Sequence, residues 1–368
     1  MKIPKGRECA GGRARLDSIY LPRHKLLTIL MNPGGCQRSL QVRSPPHNFG
    51  VLVSWKQLSL GVMRIILLGT AAGGGLPQWN CNCSNCRGAR TGSARIAPRT
   101  QSSAAVSADG RAWFLLNASP DLRVQLESVP RSRLRTKAVR STRIEAVLLT
   151  NADLDHTLGL LLMREGGKIH VHATPQVRTA LTRGISLAPT LQSFGGILWT
   201  KPPGKLSPLL RRDGSKSGLQ YQAVNVIGKP PRFLKGRQSN GFGHSIGYRI
   251  VDEKNGGRLL FLPDIAVLDG RTIDELSDCD ILLFDGTFWS EDEMRKLGVG
   301  SLSAKQMGHV PISGPQGSLK QLAPFQVTRK IYTHINNTNP ILREGSPEST
   351  AVRVAGMEIG RDGMEIVI

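Results

Sequence analysis

Apolar segments that end in an acidic or imidazole side chain recur along this sequence, and they constrain its fold more than any other feature. AVLLT at 146–150 leads into the polar segment NADLDH, ILLF leads into Asp285, and KIYT leads into His334. Short apolar runs that stop at a polar turn are typical of buried strands. Because loops at strand ends hold polar side chains over a rigid sheet, the sequence predicts a polar site at a sheet edge.

The remaining pattern mixes strand pairs with strand–helix units. Apolar runs predict strands near 63–69, 102–108, 111–117, 143–150, 168–173, 220–227, 245–252, 258–263, 279–285, 329–334 and 357–368. Helical patterns lie near 120–129, 157–164, 175–183, 271–277, 290–297, 316–323 and 347–355. This mixture predicts an α/β (α+β) protein with two sheets and helices packed outside them. The Pro-, Gly-, Lys- and Arg-rich stretch 201–244 is expected to be a long loop.

Residues 1–62 differ from the rest of the chain. They show no sustained hydrophobic period and hold ten Lys or Arg against two acidic residues. A compact apolar strand begins at Met63. We expect 1–62 to be either a disordered extension or a non-native one that a misassigned start would explain, and 63–368 to be one domain. A basic targeting arm is the alternative, but the segment lacks the apolar region and cleavage site of a signal peptide.

The formal net charge of +22 would by itself suggest nucleic acid, an anionic membrane or an acidic ligand as partner. Part of it comes from the extension, so we interpret the rest as a basic soluble surface and expect no nucleic-acid partner. The apolar runs LLTILM and LGLLLM are far shorter than the roughly 20 residues of a membrane span. We therefore expect no transmembrane helix.

Three of the six cysteines, Cys81, Cys83 and Cys86, form a C-x-C-x-x-C array. Three thiolates on one short loop can converge on a tetrahedral ion, and sulfur ligands suit zinc. We expect a structural zinc there; a redox or merely buried thiol group is the alternative. A disulfide framework is not expected in a chain of this size without a signal peptide, which favours a reducing, cytoplasmic compartment.

The segment NADLDH offers Asp153, Asp155 and His156 as metal ligands at the end of a strand. Aspartates before a helix also serve as N-caps, so a structural role for Asp155 stays open. His309, in the segment MGHVPISG, lies in a Gly- and Ser-rich loop. Each of these residues alone could simply hydrogen-bond to backbone groups of a turn. Together with Asp285 and His334 they indicate one site.

The order of these residues resembles the metallo-β-lactamase superfold, in which H-x-H-x-D-H follows a strand and an Asp and a His follow later strands. More narrowly, the chain resembles the coenzyme PQQ synthesis protein B family. The resemblance covers essentially all of 63–368 and is carried by GTAAGGGLPQWNCNCSNCRGAR, APRTQSSAAVSADG, LLNASPDLRVQL, LTNADLDHTLGLLLMREG, FDGTFWSEDEM, MGHVPISGPQGS and KIYTHINNTNP.

The resemblance implies a four-layer αββα sandwich with a metal site at one edge. Hydrolases of this fold use the first two motif histidines for zinc, but this chain has Asn151 and Asp153 there. The set expected to bind the metal is mixed oxygen and nitrogen, which suits Fe²⁺ better than paired zinc; its members are Asp153, Asp155, His156, Asp285 and His334. His244 and Asp264 stand where the family pattern has Asp and Gly, and no histidine follows the predicted strand 220–227.

The function implied by the resemblance is an iron-dependent oxygenase that hydroxylates the tyrosine-derived ring of a Glu-Tyr cross-linked precursor of pyrroloquinoline quinone (PQQ). His309 and Asp155 are the expected catalytic residues, with His309 as the acid/base. Gln78, Asn336 and Asn337 are expected to bind precursor carboxylates. The precursor and other PQQ synthesis proteins are the implied partners, and a homodimer stays open. The alternatives are a carrier that transports PQQ or its precursor to the periplasm and a zinc phosphodiesterase or hydrolase.

Overall fold

The computed structural model describes residues 17–21, 25–29, 62–93, 95–130, 138–234 and 243–368. The chain divides into two units, Met1–Gly61 and Val62–Ile368. In the first unit, strands β1 (Asp17–Leu21) and β2 (Lys25–Ile29) form an antiparallel pair. Apart from Val62, the remainder of the predicted extension lies outside the described residues.

The second unit contains two mixed seven-stranded sheets. The first sheet has the order β16-β3-β4-β5-β6-β7-β8. Its strands are β3 Arg64–Gly69, β4 Ser103–Ser107, β5 Trp113–Leu116, β6 Ile144–Leu148, β7 Ile169–His172, β8 Ile197–Thr200 and β16 Glu365–Val367. The second sheet has the order β15-β14-β13-β12-β11-β10-β9. Its strands are β9 Ser207–Leu210, β10 Lys216–Asn225, β11 Ile246–Asp252, β12 Arg258–Leu262, β13 Ile281–Asp285, β14 Arg329–Thr333 and β15 Met357–Ile359.

Short helices connect these strands. The α-helices are α1 Ser84–Arg90, α2 Leu122–Ser128, α3 Leu154–Thr157, α4 Gly159–Leu162, α5 Pro175–Thr179, α6 Leu187–Gln192, α7 Gly270–Leu276, α8 Glu293–Lys296, α9 Ala304–Met307, α10 Ser318–Leu322 and α11 Pro347–Val354. A π-turn, Ala180–Gly184, continues α5, and 3₁₀ turns lie at Arg164–Gly166, Arg232–Leu234 and Pro340–Leu342. No helix of the described segments is long and apolar enough to cross a bilayer.

The central strands of each sheet are buried on both faces, which explains why they read as near-continuous apolar runs. Because successive side chains point to opposite faces, Phe114 packs between the sheets while Leu115 packs outward with Leu160 of α4. In the second sheet, Leu283 packs between the sheets. Its neighbour Leu282 packs outward, in a cluster that includes Val352 of α11. The layers are therefore helices, sheet, sheet and helices.

Three sequence-based predictions about these elements were wrong. The single strand expected at 357–368 is two strands, β15 and β16, which belong to different sheets. The stretch 201–244 is not one loop, because both β9 and β10 lie inside it. In β10, half-exposed Gln220 and Gln222 alternate with buried side chains near the sheet edge. The helix expected at 157–164 is two short turns, since Gly159 approaches the chain at Ala118, whose carbonyl accepts from Gly159 N at 2.9 Å. A Cβ at Gly159 would lie 2.4 Å from Ser119 O, so only glycine fits.

Candidate metal centre

His156 presents a bare ring nitrogen to the site at the end of β6. Its side chain is fully buried. Nδ1 lies 3.0 Å from Asn151 Oδ1, which can only accept, so Nδ1 carries the hydrogen. Nε2 is buried and has no hydrogen-bond partner among the described residues. A buried lone pair without a partner is what a metal ligand offers before an ion binds.

His334 follows β14 and is held in the left-handed region, with φ of 54°. Such a backbone is uncommon for a residue other than glycine and is found at functional sites. Thr287 Oγ1 lies 2.9 Å from His334 Nδ1 and 2.6 Å from Asp285 Oδ1. When the hydroxyl donates to the carboxylate it accepts from Nδ1, and Nε2 of His334 is left facing the site.

Asp155 lies between the two imidazoles. Its Oδ2 is 3.1 Å from His334 Nε2 and 3.7 Å from His156 Nε2. Burial raises the pKa of Asp155, but the charges and hydrogen bond of His156 and His334 outweigh burial and hold that pKa well below its usual range. Ligand atoms of these three residues all lie within 4.8 Å of one another.

Asp264 completes the cluster, and sequence reasoning did not select it. Its Oδ1 lies 3.6 Å from His334 Nε2, and its Oδ2 accepts from Asn151 Nδ2 at 3.0 Å. Asp264, His309 and His334 form a second group whose ligand atoms lie within 4.8 Å of one another. Asp264 follows β12 in FLPD, so the rule that selected Asp285, a carboxylate at the end of an apolar strand, would have found it. We call Asp155, His156, Asp264, His309 and His334 the metal centre.

Asp285 is brought to the same place, but its oxygens belong to neither group of converging ligand atoms. Its Oδ1 accepts from the backbone nitrogen and hydroxyl of Thr287, and its Oδ2 accepts from Ile265 N and His309 Nδ1, the last at 2.8 Å. Although burial raises the pKa of Asp285, His309 lowers it below its usual range. Asp285 is therefore arranged to orient and charge the His309 ring, whose pKa it raises against the effect of burial.

Asp153 precedes α3 as its N-cap residue but makes no side-chain capping bond. Burial, followed by the charges of Asp155 and Asp264, raises the pKa of Asp153 to about 7. Its ligand atoms are not in the two groups of the metal centre. The Asp153 carboxyl group therefore lies close enough to Asp155 and Asp264 for their charges to raise its pKa.

The three residues predicted to bind substrate occupy different surroundings. Gln78 lies against Gly74 and donates to Asn80 Oδ1 at 3.0 Å. Asn336 is nearly buried, and its Nδ2 approaches Thr338 Oγ1 at 2.5 Å. Asn337 points at the cysteines, with Nδ2 3.2 Å from Cys81 Sγ.

The sulfurs of Cys81, Cys83 and Cys86 lie within 4.8 Å of one another. Burial raises the pKa of the Cys86 thiol to about 11, while Cys81, close to the surface, has its pKa lowered by hydrogen bonds that outweigh burial. The array therefore has the sulfur ligands and the convergence that a tetrahedral zinc site requires.

The metal centre fits a divalent ion on its own chemistry. Two imidazole nitrogens and a carboxylate oxygen converge from His156, His334 and Asp155, and the His156 nitrogen is otherwise orphaned. Although burial opposes charge, Asp264, Asp155 and Asp285 raise the pKa of His334 to about 10. The negative charge that favours a proton on His334 would also favour a metal cation, and the two would compete for the same nitrogen.

Comparison with known proteins gives the family. The Beta-lactamase superfamily domain matches residues 112–335. Coenzyme PQQ synthesis protein B of Pseudomonas putida (strain GB-1) is 41% identical over 305 residues, covering 83% of this chain and 99% of that protein. The protein of the same name from Methylococcus capsulatus (strain Bath) is 41% identical over 313 residues, covering 83% of this chain and 100% of that protein.

Among solved structures, Zn²⁺-bound PqqB from Methylobacterium extorquens matches with a TM-score of 0.75 and 36% identity, covering 82% of this chain and 99% of that chain. A diphosphatase of the PhnP family matches with a TM-score of 0.58 and 18% identity, covering 83% of this chain and 97% of that chain. At this identity the match shows a similar fold and nothing more. The predicted metallo-β-lactamase sandwich is confirmed. With relatives matched over almost their whole length, the chain belongs to the coenzyme PQQ synthesis protein B family of the beta-lactamase superfamily.

Proposed function

We propose that this chain is a non-haem iron-dependent oxygenase in the synthesis of PQQ, and that it hydroxylates the tyrosine-derived ring of the Glu-Tyr cross-linked precursor. Membership of the PQQ synthesis protein B family supports the pathway. The reaction rests on one observation, the convergence of Asp155, His156 and His334. Two imidazoles and one carboxylate with open positions are the ligand set of non-haem iron oxygenases.

Bound ferrous iron would supply the binding and reduction of dioxygen. The chain's own groups would fix the ligands: Asn151 holds the tautomer of His156, and Thr287 holds that of His334. Asp264 would add a second carboxylate beside His334. His309, oriented by Asp285, is the proton donor and acceptor, because an imidazole can exchange protons near neutral pH.

The stoichiometry requires a reductant. One atom of dioxygen enters a ring C–H bond to give a phenol, and the other leaves as water. This conversion consumes two electrons and two protons, so an external two-electron donor of the ascorbate or reduced pyridine-nucleotide class is part of the proposed reaction. His309 would supply the protons that this conversion consumes.

A zinc phosphodiesterase is less well supported. Asn151, at the position of the first motif histidine, has its carbonyl engaged by His156 and its amide nitrogen by Asp264. It therefore acts as a support for the ligands. Zinc and ferrous iron accept the same nitrogen and oxygen donors, and zinc binds more tightly, so the Zn²⁺ bound to the Methylobacterium extorquens relative is compatible with either metal.

The test is anaerobic loading of the metal-free chain with Fe²⁺ or Zn²⁺, followed by oxygen, reductant and a tyrosine-bearing precursor. We expect oxygen consumption and a product that carries one atom of labelled dioxygen per hydroxylation, only with iron. Both signals should vanish in Asp155→Ala and His156→Ala, and persist in Asp269→Asn, which changes an N-cap on α7. Phosphodiester cleavage with zinc would favour the hydrolase, and precursor binding without turnover by either metal would favour the carrier.

We further propose that Cys81, Cys83 and Cys86 hold a structural zinc. The close approach of three sulfurs on one loop supports this assignment. It predicts one tightly bound zinc per chain that survives the chelation that removes iron.

A further inference from the structure

A cavity of about 290 Å³ opens beside β15, between the end of α11 and the segment 95–99. None of the residues of the metal centre lines it. Its volume is at the lower end of the range found for small-molecule sites. Part of its wall is apolar and is formed by Ile341, Leu342, Met357, Ile359 and Met364. The cavity therefore has the room and the apolar wall that a small organic molecule needs.

Arginine side chains form much of the remaining wall and give it an excess of positive charge. The arginines that line the cavity are Arg95, Arg99, Arg353 and Arg361. Its two acidic residues already have partners. Glu344 Oε1 lies 3.6 Å from Arg353 Nη2, and Glu358 accepts two hydrogen bonds of 2.7 Å from Arg329, which is outside the cavity wall. Three arginine charges of the wall are thus left without an acidic partner in that wall.

Arg99 is less exposed than the other three arginines, and its guanidinium group is only partly used. Its Nη1 donates to Thr70 Oγ1 at 2.9 Å and to Gly360 O. Its Nε is buried and has no hydrogen-bond partner among the described residues. A buried donor without an acceptor is unfavourable. Since a guanidinium edge pairs with the oxygens of a carboxylate or phosphate, an anion that enters the cavity would supply the acceptor.

The charges around Arg99 also favour an anion. Burial lowers the pKa of Arg99 to about 10; Asp362 opposes this shift, and Arg361 adds to it. The carboxylate of Asp362 is already engaged by donors of Thr70 and Thr100. Arg361 therefore lies close enough to Arg99 for their like charges to repel, and an anion bound near both would remove that repulsion.

We propose that this cavity binds a small organic anion, whose carboxylate or phosphate group pairs with Arg99 and Arg361 while its apolar ring or chain packs against Met357 and Met364. Planar guanidinium groups bind carboxylates and phosphates in the same two-pronged way. Methionine side chains are flexible and pack well against rings of different shapes. The inference goes beyond the proposed oxygenase reaction and does not depend on it.

The test is isothermal titration calorimetry of the full chain at low salt with phenylacetate and with phenyl phosphate. Acetate and inorganic phosphate are the matched probes without a ring. We expect at least one ring-bearing anion to bind, one per chain and about tenfold or more tightly than its matched probe, because the ring is buried against the apolar wall. The tighter of the two identifies the anionic group. No binding tighter than about 10 mM would overturn the proposal, and so would a ring that adds no affinity.

Substitutions then locate the bound anion. Arg361→Gln removes a charge at an exposed position, and we expect it to weaken binding by about tenfold or more. Arg99→Lys, which keeps the charge and loses the planar fork, should also weaken binding. Arg123→Gln, at an exposed position of α2, is the charge-matched control and should leave the affinity unchanged.

Two results would contradict this location. Full affinity in Arg361→Gln would overturn the proposal. Loss of binding in His156→Ala would place the anion at the metal centre and overturn it as well. Circular dichroism of each variant checks that the chain is folded. Oxygenase activity does not enter the readout, so failure of this proposal and failure of the proposed reaction are distinguishable.

Discussion

The residues around the metal centre divide between those that face the ion position and those that support them. Asp264 and Asp285 illustrate the division. Both are carboxylates at strand ends, yet Asp264 Oδ1 lies 3.6 Å from His334 Nε2, while both oxygens of Asp285 are occupied by hydrogen-bond donors. A carboxylate whose lone pairs are already engaged orients its neighbours and has less capacity to bind a metal.

Asp264→Asn and Asp285→Asn should therefore have different effects. We expect Asp264→Asn to weaken ferrous iron binding by about tenfold or more, since a charged oxygen beside the ion is lost. Asp285→Asn should keep most of the iron affinity and lose turnover, because His309 loses its charged partner. Anaerobic equilibrium dialysis with iron analysis measures the first effect, and Asp269→Asn is the matched control. Equal loss of iron in both variants would contradict this division.

At the scale of elements, hydrogen bonds from a short helix hold the loop after β14 in place. Helix α1 has seven residues, too few to be stable alone. It is capped by Cys83, and its buried Asn85 donates to two carbonyls of the turn 335–339. The order of this turn, and of His334 before it, is therefore supplied by contacts across the fold.

Asn85→Ala should destabilise the chain. It removes one donor from each of two buried carbonyl groups, which still accept from Cys83 Sγ and Leu342 N. Losing a typical hydrogen bond costs about 0.5–1.5 kcal/mol, so we expect a loss of that size for each bond. Urea denaturation with zinc present should show this loss, and Asn82→Ala, on the exposed side of the same loop, should not. A free energy of unfolding for Asn85→Ala equal to that of the unaltered chain would contradict a stabilising role of these two hydrogen bonds.

His172 links the two sheets and makes stability depend on pH. It ends β7, and its Nδ1 lies 2.8 Å from Tyr221 Oη on β10. Burial, with a smaller effect from His170, lowers the pKa of His172 to about 4. Because the unfolded pKa is about 6.5, the unfolded chain binds this proton more readily between these values. The contribution of His172 is therefore full above pH 6.5 and is lost as the pH falls toward 4.

Between pH 7 and pH 5 this linkage lowers the free energy of unfolding by about 2 kcal/mol. We expect His172→Gln to remove that part of the decrease, measured by urea denaturation at both pH values. His170→Gln, at a half-buried position of the same strand, should keep most of it. An identical pH dependence in His172→Gln and the unaltered chain would show that His172 titrates normally in the folded state.

At the scale of the whole molecule, the sandwich turns distant sequence segments into one site. Parallel strands β12, β13 and β14 end side by side and deliver Asp264, Asp285 and His334. β6 belongs to the other sheet and leads into Asp155 and His156. The metal centre therefore requires both sheets packed in register, and its affinity for metal reports on the integrity of the whole domain.

We propose that residues 63–368 are the functional domain. A chain that starts at Met63 should have the same zinc content, iron content and thermal unfolding midpoint as the full chain. The reason is that the metal centre and the three cysteines Cys81, Cys83 and Cys86 lie within Val62–Ile368. Metal analysis and calorimetry of the two chains provide the comparison. Loss of iron or a markedly lower midpoint in the shorter chain would assign a structural role to 1–62.

The sequence by itself predicted most of the strands, the sandwich, and a polar site that includes Asp155, His156 and His334. It could do so because an apolar run that ends in a polar side chain is a local signal, and such strand ends meet at one edge of a sheet. It did not distinguish Asp264 from Asp285, and it assigned Asn337 to the substrate. Only the tertiary structure decided these points, since a side chain's partner depends on segments far away in the chain: Asp285 meets His309, Asp264 meets His334, and Asn337 meets the cysteines. Residue type and spacing indicate what a side chain can bind, and packing decides which group it reaches.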